Sequence, residues 1–334
     1  MHLHGETLPH ERAVRYLGVW FDEGLLWNKH LTEVIARARA RLWQLRRIVG
    51  CEWGLSPGLF MRLVRGAVLP GLFFGAPVWA SMLRVQDRLR RLDSTLALAA
   101  RMAFGLERFT STEASLALAG LMPARQQILQ RLVAYMLRRR RTILVGDPPL
   151  ELHRSYVTPD ELGFTWFQRS VRGRTIPQTL PGRQRLIRDG VDRALLTEWH
   201  LRWRASETGR QLFTVFQRVG GGWHPDDAAT VRRQDFTLVA RFMTGHYHLG
   251  PWAPTRDPEE LELCPLCGVP YSREHLIFEC TCLDPVRQAT LGQVLSRGGR
   301  GLAWLIQSAC GPLGHFLRVA RDVVSSHLEE TVEP

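Results

Sequence analysis

The chain has 334 residues, of which 45% are hydrophobic and 23% charged, a balance that excludes a disordered chain and allows one or two cores. No apolar run reaches the ~18 residues of a membrane span, so the sequence excludes a membrane partner. A formal net charge of +12 favours RNA or DNA as the partner.

A short strand followed by a long helix is predicted near the start of the chain. Residues 16–21 are a short stretch rich in aromatic residues, with a β-branched valine, which is typical of a strand, and residues 22–24 favour a turn. From 31 to 48, apolar residues recur at close to 3.6-residue spacing. We therefore expect an amphipathic helix there, with Asn28 as its N-cap.

More helices are predicted in the first half of the chain. The Ser-Pro pair at 56–57 is typical of a helix start, and Pro70 is predicted to end that helix. Another apolar repeat predicts a helix at 85–104. Two further helices are predicted to start at Thr112 and Pro123.

The second half of the chain is also predicted to be helical. Residues 146–182 are rich in Pro, Gly, Thr and Arg and predict a linker. Helical periodicity resumes at 186–203, where Trp199 and Trp203 are interpreted as core residues, and returns at about 227–244. The sequence therefore predicts a mainly α fold with few strands.

Four of the six cysteines cluster near position 270, together with a histidine. The pattern C-x2-C-x7-H-x4-C is formed by Cys264, Cys267, His275 and Cys280. Zn²⁺ takes four such ligands tetrahedrally, and four protein ligands leave no position for a reactive water. We therefore expect a structural Zn²⁺ site. Cys282 is an alternative fourth ligand, and reduced side chains packed in an ordinary core are the alternative to any metal.

Two groups of arginines are candidates for contacts with nucleic acid. Arg37 and Arg41 lie largely opposite the apolar stripe of the long helix, where they could follow a duplex backbone. The second group closes the helix that starts at Pro123 and consists of Arg138, Arg139, Arg140 and Arg141. A solvated helix end is the equally weighted alternative for this second group, because positive charge is favourable there.

The sequence carries no polymerase motif. A polymerase holds two Mg²⁺ ions with carboxylates, and a reverse transcriptase normally presents them in an aromatic-x-Asp-Asp hairpin. The only Asp-Asp pair is Asp226 and Asp227, which follows His-Pro and is interpreted as a helix N-cap. No catalytic residues are therefore predicted in this chain.

Several motifs, in this order, resemble the part of non-LTR (LINE-type) retrotransposon reverse transcriptases that follows the polymerase palm. Tyr16-Leu17-Gly18-Val19, His30 at the start of a long helix, and the stretch LPGLFFGAPVW at 69–79 resemble the approach to the thumb. Residues 110–123 are similar to the next helical block. The Cys264/Cys267/His275/Cys280 set, with Leu-Ile-Phe-Glu before its last cysteine, resembles the terminal zinc module of that family.

The resemblance implies a domain order for the whole chain. It comprises a thumb-like helical domain (1–145), the linker (146–182), a helical connector (183–260), a zinc module (261–283) and C-terminal helices (284–334). Cys264, Cys267, His275 and Cys280 inherit the role of zinc ligands, whereas Mg²⁺ belongs to a palm that no residue here matches. The implied partners are RNA or DNA and the rest of the polyprotein. The implied location is intracellular, and nuclear at the point of action.

Three functions follow from these observations. The first is a fragment of an RNA-directed DNA polymerase that acts through a basic helical thumb and a zinc module. The second is a non-enzymatic, zinc-dependent nucleic-acid-binding protein, either a degenerate or a co-opted copy. The third is a zinc-stabilised interaction domain with no role on nucleic acid.

Overall fold

A computed structural model of the chain describes residues 2–3, 6–7, 11–139, 179–247, 263–296, 298 and 301–332. The described residues are mostly helical, which confirms the predicted fold class. The helices are α1 Asn28–Leu45, α2 Pro57–Leu63, α3 Leu69–Leu72, α4 Gln86–Phe104, α5 Thr112–Ala119, α6 Ala124–Arg139, α7 Leu180–Ala205, α8 Arg210–Phe213, α9 Arg233–Thr244, α10 Asp284–Ser296, α11 Leu302–Ser308 and α12 Cys310–Val332. Among the described helices, none has the length and apolarity needed to cross a membrane.

The strands of the described residues form two antiparallel hairpins, β1 (His2–Leu3) with β2 (Glu6–Thr7) and β3 (Ala13–Tyr16) with β4 (Val19–Asp22). The prediction of one strand over 16–21 was wrong, because Leu17 and Gly18 form the turn between β3 and β4. Both residues have positive φ, 45° and 89°. Two such residues fit the right-handed twist of a tight hairpin, and Gly18 adopts this conformation without steric cost.

Helix α1 starts where it was predicted, but its cap is a different residue. The Asp22 carboxylate accepts the backbone N–H of Trp27 at 2.6 Å and that of Asn28 at 2.7 Å. A carboxylate from the end of β4 therefore satisfies the first free donors of α1. Asn28 is the first helical residue, so the prediction that it caps the helix was wrong.

The predicted stop at Pro70 was also wrong. A π-helical turn, Val64–Val68, follows α2 and leads directly into α3, which contains Pro70. Proline lacks the N–H that an α-helix uses at this point, and the wider π turn shifts the hydrogen-bond pattern so that the chain stays helical. The helices predicted at 85–104 and from Thr112 and Pro123 agree with α4, α5 and α6.

The chain divides into two compact units. The first comprises Met1–Leu45, Arg62–Ala99 and Leu121–Ala205, and the second comprises Arg46–Met61, Ala100–Gly120 and Ser206–Pro334. In the first unit, α1 packs against α3, and α6 packs against α7. Its core includes the fully buried residues Leu31, Leu42, Leu72, Trp79, Leu92, Trp199 and Trp203. Trp199 and Trp203 are thus core residues, as predicted.

In the second unit, α12 packs against α9 and α10. The backbones of α9 and α12 approach closely at Gly314, where an added Cβ would lie 2.5 Å from the Cβ of Asp235. The buried Asp235 carboxylate accepts a hydrogen bond from Arg318 Nε at 3.3 Å. In the sequence, the cysteine cluster lies between α9 and α10.

Candidate metal centre

A tight turn presents the first two cysteines of the cluster. Leu263 pairs with Pro270 across the turn, Cys264 N donates to the Val269 carbonyl at 2.8 Å, and Gly268 N donates to the Cys264 carbonyl at 2.8 Å. Gly268 has φ +68°, a conformation that a residue without a Cβ adopts readily. The backbone thus folds back and places Cys264 and Cys267 on one side of the turn.

A short helical segment presents the histidine and the third cysteine. Ser272 Oγ accepts the N–H of His275 at 2.9 Å, which caps the start of this segment. Residues His275–Glu279 form a π-helical turn, in which Cys280 N donates to the His275 carbonyl at 2.8 Å. This i to i+5 bond brings Cys280 back beside His275. The x4 spacing therefore places both side chains on one face of the segment.

The four predicted side chains lie together. Their ligand atoms are all within 4.8 Å of one another, so the group can hold a metal ion. The Sγ atom of Cys280 lies 3.9 Å from that of Cys264 and 4.0 Å from that of Cys267. The Nε2 atom of His275 lies 3.3 Å from Cys267 Sγ. Tetrahedral Zn²⁺ with ~2.3 Å bonds to sulfur would separate two sulfurs by ~3.8 Å, close to these distances.

Cys282, the alternative fourth ligand, is exposed and lies outside this group. Its Sγ is 3.6 Å from the Leu266 carbonyl oxygen. Cys280 is fully buried, and the π-helical turn directs it to the other ligands. The geometry therefore favours Cys280 over Cys282.

The surroundings of the thiols affect their charge in opposite ways. A hydrogen bond from the backbone N–H of Val269 lowers the pKa of Cys267, whereas burial raises the pKa of Cys280 to about 12. A buried thiol with a raised pKa stays protonated unless a cation compensates its charge. A bound divalent ion supplies that compensation and holds its thiol ligands as thiolates.

The two ring nitrogens of His275 have different neighbours. Nε2 lies beside the Cys267 sulfur, and Nδ1 lies on the side of the Glu279 carboxylate. The Nδ1 atom lies 3.8 Å from Glu279 Oε2, one helical turn further along the chain. A metal ion bound at Nε2 would leave Nδ1 with the ring proton, on the side of this carboxylate. The ring is 5% exposed, so packing also restricts its orientation.

Two arginines fix the backbone around the cluster. Arg287 in α10 donates from Nε to the Ile277 carbonyl and from Nη2 to the Cys280 carbonyl, both at 2.8 Å. Arg273 donates to the Gln211 carbonyl at 3.0 Å and to Thr214 Oγ1 at 2.6 Å. The sequence analysis did not identify either arginine. No spacing rule marks them, because the acceptors are mostly backbone carbonyls, which every residue type offers, and those of Arg273 are also distant in sequence.

The predicted nucleic-acid contacts are only partly described. Arg37 and Arg41 are exposed on α1; Arg37 Nε donates to the Glu33 carbonyl at 3.2 Å and Arg41 Nη1 to the Ala67 carbonyl at 3.0 Å. Arg138 is exposed near the end of α6. The side chain of Arg139 and the whole of Arg140 and Arg141 lie outside the described residues.

The Asp-Asp pair caps a helix, but not the one that follows it. Asp227 Oδ2 accepts the backbone N–H of Gly311 at 2.7 Å, in the first turn of α12. Asp226 accepts hydrogen bonds from Ser308 Oγ at 2.8 Å and from Gln307 Nε2 at 3.0 Å. The helix predicted at 227–244 begins only at Arg233. The pair therefore stabilises the C-terminal helices rather than its own.

No protein-family model matches this sequence, and no solved structure matches it. A retrovirus-related Pol polyprotein from type-1 retrotransposable element R1 4 of Nasonia vitripennis is 25% identical over 301 residues, which cover 87% of this chain and 66% of that relative. The R1 Pol polyprotein of Bradysia coprophila is 23% identical over 328 residues, covering 97% of this chain and 29% of the relative. The RNA-directed DNA polymerase from mobile element jockey of Drosophila melanogaster is 26% identical over 77 residues, 23% of this chain and 8% of the relative.

These relatives agree with the resemblance derived from the motifs. Homologues at 23–26% identity over most of the chain are R1 retrotransposon Pol polyproteins, consistent with a fragment of a LINE-type reverse transcriptase polyprotein. The chain spans 66% of the first of these relatives and 25% of the second.

Proposed function

We propose that this chain is the thumb and zinc-module part of a non-LTR retrotransposon RNA-directed DNA polymerase. In this role it binds a template–primer duplex or target DNA, in the nucleus, while another part of the polyprotein performs the polymerisation. The observation that carries the proposal is the Cys-Cys-His-Cys group, whose four ligand atoms lie within 4.8 Å of one another in a chain related to R1 Pol polyproteins.

The metal we propose is Zn²⁺ in a structural role. Three sulfurs and one imidazole nitrogen are ligands that Zn²⁺ prefers, and the distances between the donors fit tetrahedral coordination. Four protein ligands leave no open position for substrate or water. The ion would hold the Cys264 turn against the His275 segment and so shape this part of the nucleic-acid-binding surface.

The basic side of α1 supports the proposed binding of nucleic acid. Arg37 and Arg41 are exposed, and each uses part of its guanidinium to bond a backbone carbonyl, which leaves further N–H groups for phosphates. Glu33, the only acidic residue of α1, pairs with Lys29 at 3.0 Å. Positive charge therefore predominates along this helix.

The test is binding to a DNA primer annealed to an RNA template, measured at several salt concentrations. We expect affinity to fall steeply as salt rises, because bound arginines release counterions from phosphates. The double substitution Arg37→Gln, Arg41→Gln should reduce the slope of log K against log salt by roughly 1.4–1.8, at ~0.7–0.9 for each phosphate contact.

The matched control removes the same charge from α7. Arg188 and Arg193 are exposed there, and the pair Arg188→Gln, Arg193→Gln should leave the salt slope unchanged. Absence of binding by the wild-type chain at low salt would contradict the proposal. Equal slopes for the two double variants would contradict the role assigned to α1.

A second function is favoured by the use of the chain's only Asp-Asp pair as a helix cap. Asp226 and Asp227 accept hydrogen bonds from Ser308, Gln307 and Gly311, which is a structural role in the C-terminal helices. A degenerate or co-opted copy that only binds nucleic acid would need no such pair. Genomic DNA upstream separates the two functions: an in-frame palm with aromatic-x-Asp-Asp supports the polymerase, and its absence supports the binding protein.

A further inference from the structure

The solvent-facing side of α1 carries a tryptophan that packing does not explain. Trp43 is 58% exposed, whereas Trp79 and Trp199 in the same compact unit are at most 1% exposed. Large aromatic side chains in water at a helix surface are typical of contact surfaces, since their burial contributes much of the energy of an interface. Trp43 therefore indicates a binding surface on α1.

The helical neighbours of Trp43 leave room beside its ring. Ala40 and Ala36 precede it by three and seven residues and so lie on the same side of the helix. Both are exposed and end at Cβ. Two of the positions on the N-terminal side of the indole therefore carry no side chain long enough to cover the ring.

The charged side chains near Trp43 on α1 are positive. Arg39, four residues before it and thus one helical turn away, is exposed. Arg47, four residues after it, is also exposed, and the single acid of α1, Glu33, is paired with Lys29. An aromatic ring among arginines is the combination that binds single-stranded nucleic acid, with the ring stacking on a base and the arginines contacting phosphates.

Resting on the function proposed above, we infer that Trp43 stacks on an unpaired base of the RNA template strand. Bases inside a duplex are stacked on one another and offer no free face, so away from the duplex ends a surface tryptophan can stack only where the strand is single. In a primed template the RNA beyond the primer is such a strand. An apolar protein partner fits less well, because the residues around Trp43 are small or positively charged rather than apolar.

The experiment measures the affinity of the full chain for two nucleic-acid substrates. One is a blunt RNA–DNA duplex, and the other is the same duplex with an unpaired RNA tail. The wild-type chain should bind the tailed substrate more tightly. Trp43→Ala should weaken binding to the tailed substrate by about 5- to 150-fold, the effect of one lost base–aromatic stack, and leave blunt-duplex binding unchanged. Trp43→Phe should retain most of the preference for the tail.

Trp53→Ala is the matched control, because Trp53 is also 58% exposed but lies in the other compact unit. It should bind both substrates like the wild-type chain. The salt slope of Trp43→Ala should equal that of wild type, because stacking involves no phosphate. A third substrate is the same duplex with an unpaired DNA tail in place of the RNA tail. A Trp43 effect on the RNA tail, with or without an effect on the DNA tail, supports the inference, since stacking tolerates either sugar.

The outcomes separate this inference from the proposed function. If the wild-type chain binds duplex in a salt-dependent way but Trp43→Ala keeps the full preference for the RNA tail, only the inference fails. If Trp43→Ala affects only the DNA tail, the assignment to the template strand is wrong. If the wild-type chain binds neither substrate at low salt, the proposed function fails as well.

Discussion

The first compact unit and the cysteine module differ in how many apolar side chains they bury. In the first unit, long helices bury leucines and tryptophans such as Leu42, Leu72 and Trp79. In the module, residues 263–283, few apolar side chains are buried besides the cysteines, among them Leu276 and Ile277. A segment this short cannot bury enough apolar surface to fold by itself, and a metal ion is the usual substitute.

This difference predicts that the first unit folds without metal, whereas the module depends on a bound metal ion. Burial of apolar surface should stabilise the first unit whether or not metal is present. Metal coordination should stabilise the module, and its removal should leave the first unit folded. Each prediction below tests whether the two regions respond separately.

The largest expected effect follows loss of the ligands. The double substitution Cys264→Ser, Cys267→Ser should abolish zinc binding, which contributes ~10–16 kcal/mol in zinc-finger peptides. Amide exchange measured by mass spectrometry should then show loss of protection at 263–283, while α1 and α4 remain protected. Cys282→Ser, which removes a thiol outside the group, should retain zinc and protection. Near-stoichiometric zinc in the double variant would contradict the ligand assignment.

A core truncation in the first unit should have the next largest effect and the opposite pattern. Leu42 is fully buried, so Leu42→Ala should lower the free energy of unfolding by about 2–5 kcal/mol without changing the zinc content. Urea denaturation together with metal analysis measures both quantities. Leu201→Ala is the control, because Leu201 is 52% exposed and its truncation should cost about 0.5 kcal/mol or less. Loss of zinc in Leu42→Ala would show that the two regions are not independent.

The agreement between sequence and structure also differs between these regions. The grouping of the cluster was predictable, because metal coordination demands particular residues at particular spacings, and the structure brings Cys264, Cys267, His275 and Cys280 together. Helices α4, α5 and α6 were predictable from apolar periodicity and cap residues. Ser111 Oγ, for example, accepts the N–H of Ala114 at the start of α5.

The errors all concern contacts between residues distant in sequence, or local backbone geometry that a residue pattern does not encode. Asp22 replaces Asn28 as the cap of α1 because β4 ends beside the helix start. Asp227 caps α12, which lies more than 80 residues later. The π-helical turn that carries the chain past Pro70 is likewise not encoded by apolar spacing.

A smaller effect is expected from Arg287, which connects the module to α10. Arg287→Ala leaves the carbonyls of Ile277 and Cys280 without their guanidinium donor. Hydrogen bonds from charged groups contribute about 1.5–3 kcal/mol, so zinc should dissociate at least about tenfold more readily. Competition with a chromophoric chelator measures this change. Arg232→Ala is the control, because Arg232 is an exposed arginine of the same compact unit, and its zinc affinity should equal that of wild type.

Unchanged zinc affinity in Arg287→Ala would limit that residue to a role in packing. Equal losses in Arg287→Ala and Arg232→Ala would indicate a general effect of removing positive charge from the second unit. Either result would remove the proposed connection between α10 and the metal site.

The smallest expected effect is a pH response of the first unit. Burial, followed by the nearby Arg37, lowers the pKa of His30 from 6.5 to about 4. The unfolded chain therefore binds a proton at this site between pH 6.5 and 4 that the folded chain does not, and stability falls as pH decreases through this range. The melting temperature of wild type should drop more between about pH 7 and 5 than that of His30→Gln. Identical drops would contradict the assignment of the acid response to His30.

X-ray absorption at the zinc edge of the purified chain tests the central claim most directly. The account predicts one zinc per chain with three sulfur neighbours at ~2.3 Å and one nitrogen neighbour at ~2.0–2.1 Å, and one sulfur fewer in Cys280→Ser. A spectrum with oxygen ligands in place of sulfur, or a chain that folds fully without zinc, would contradict it.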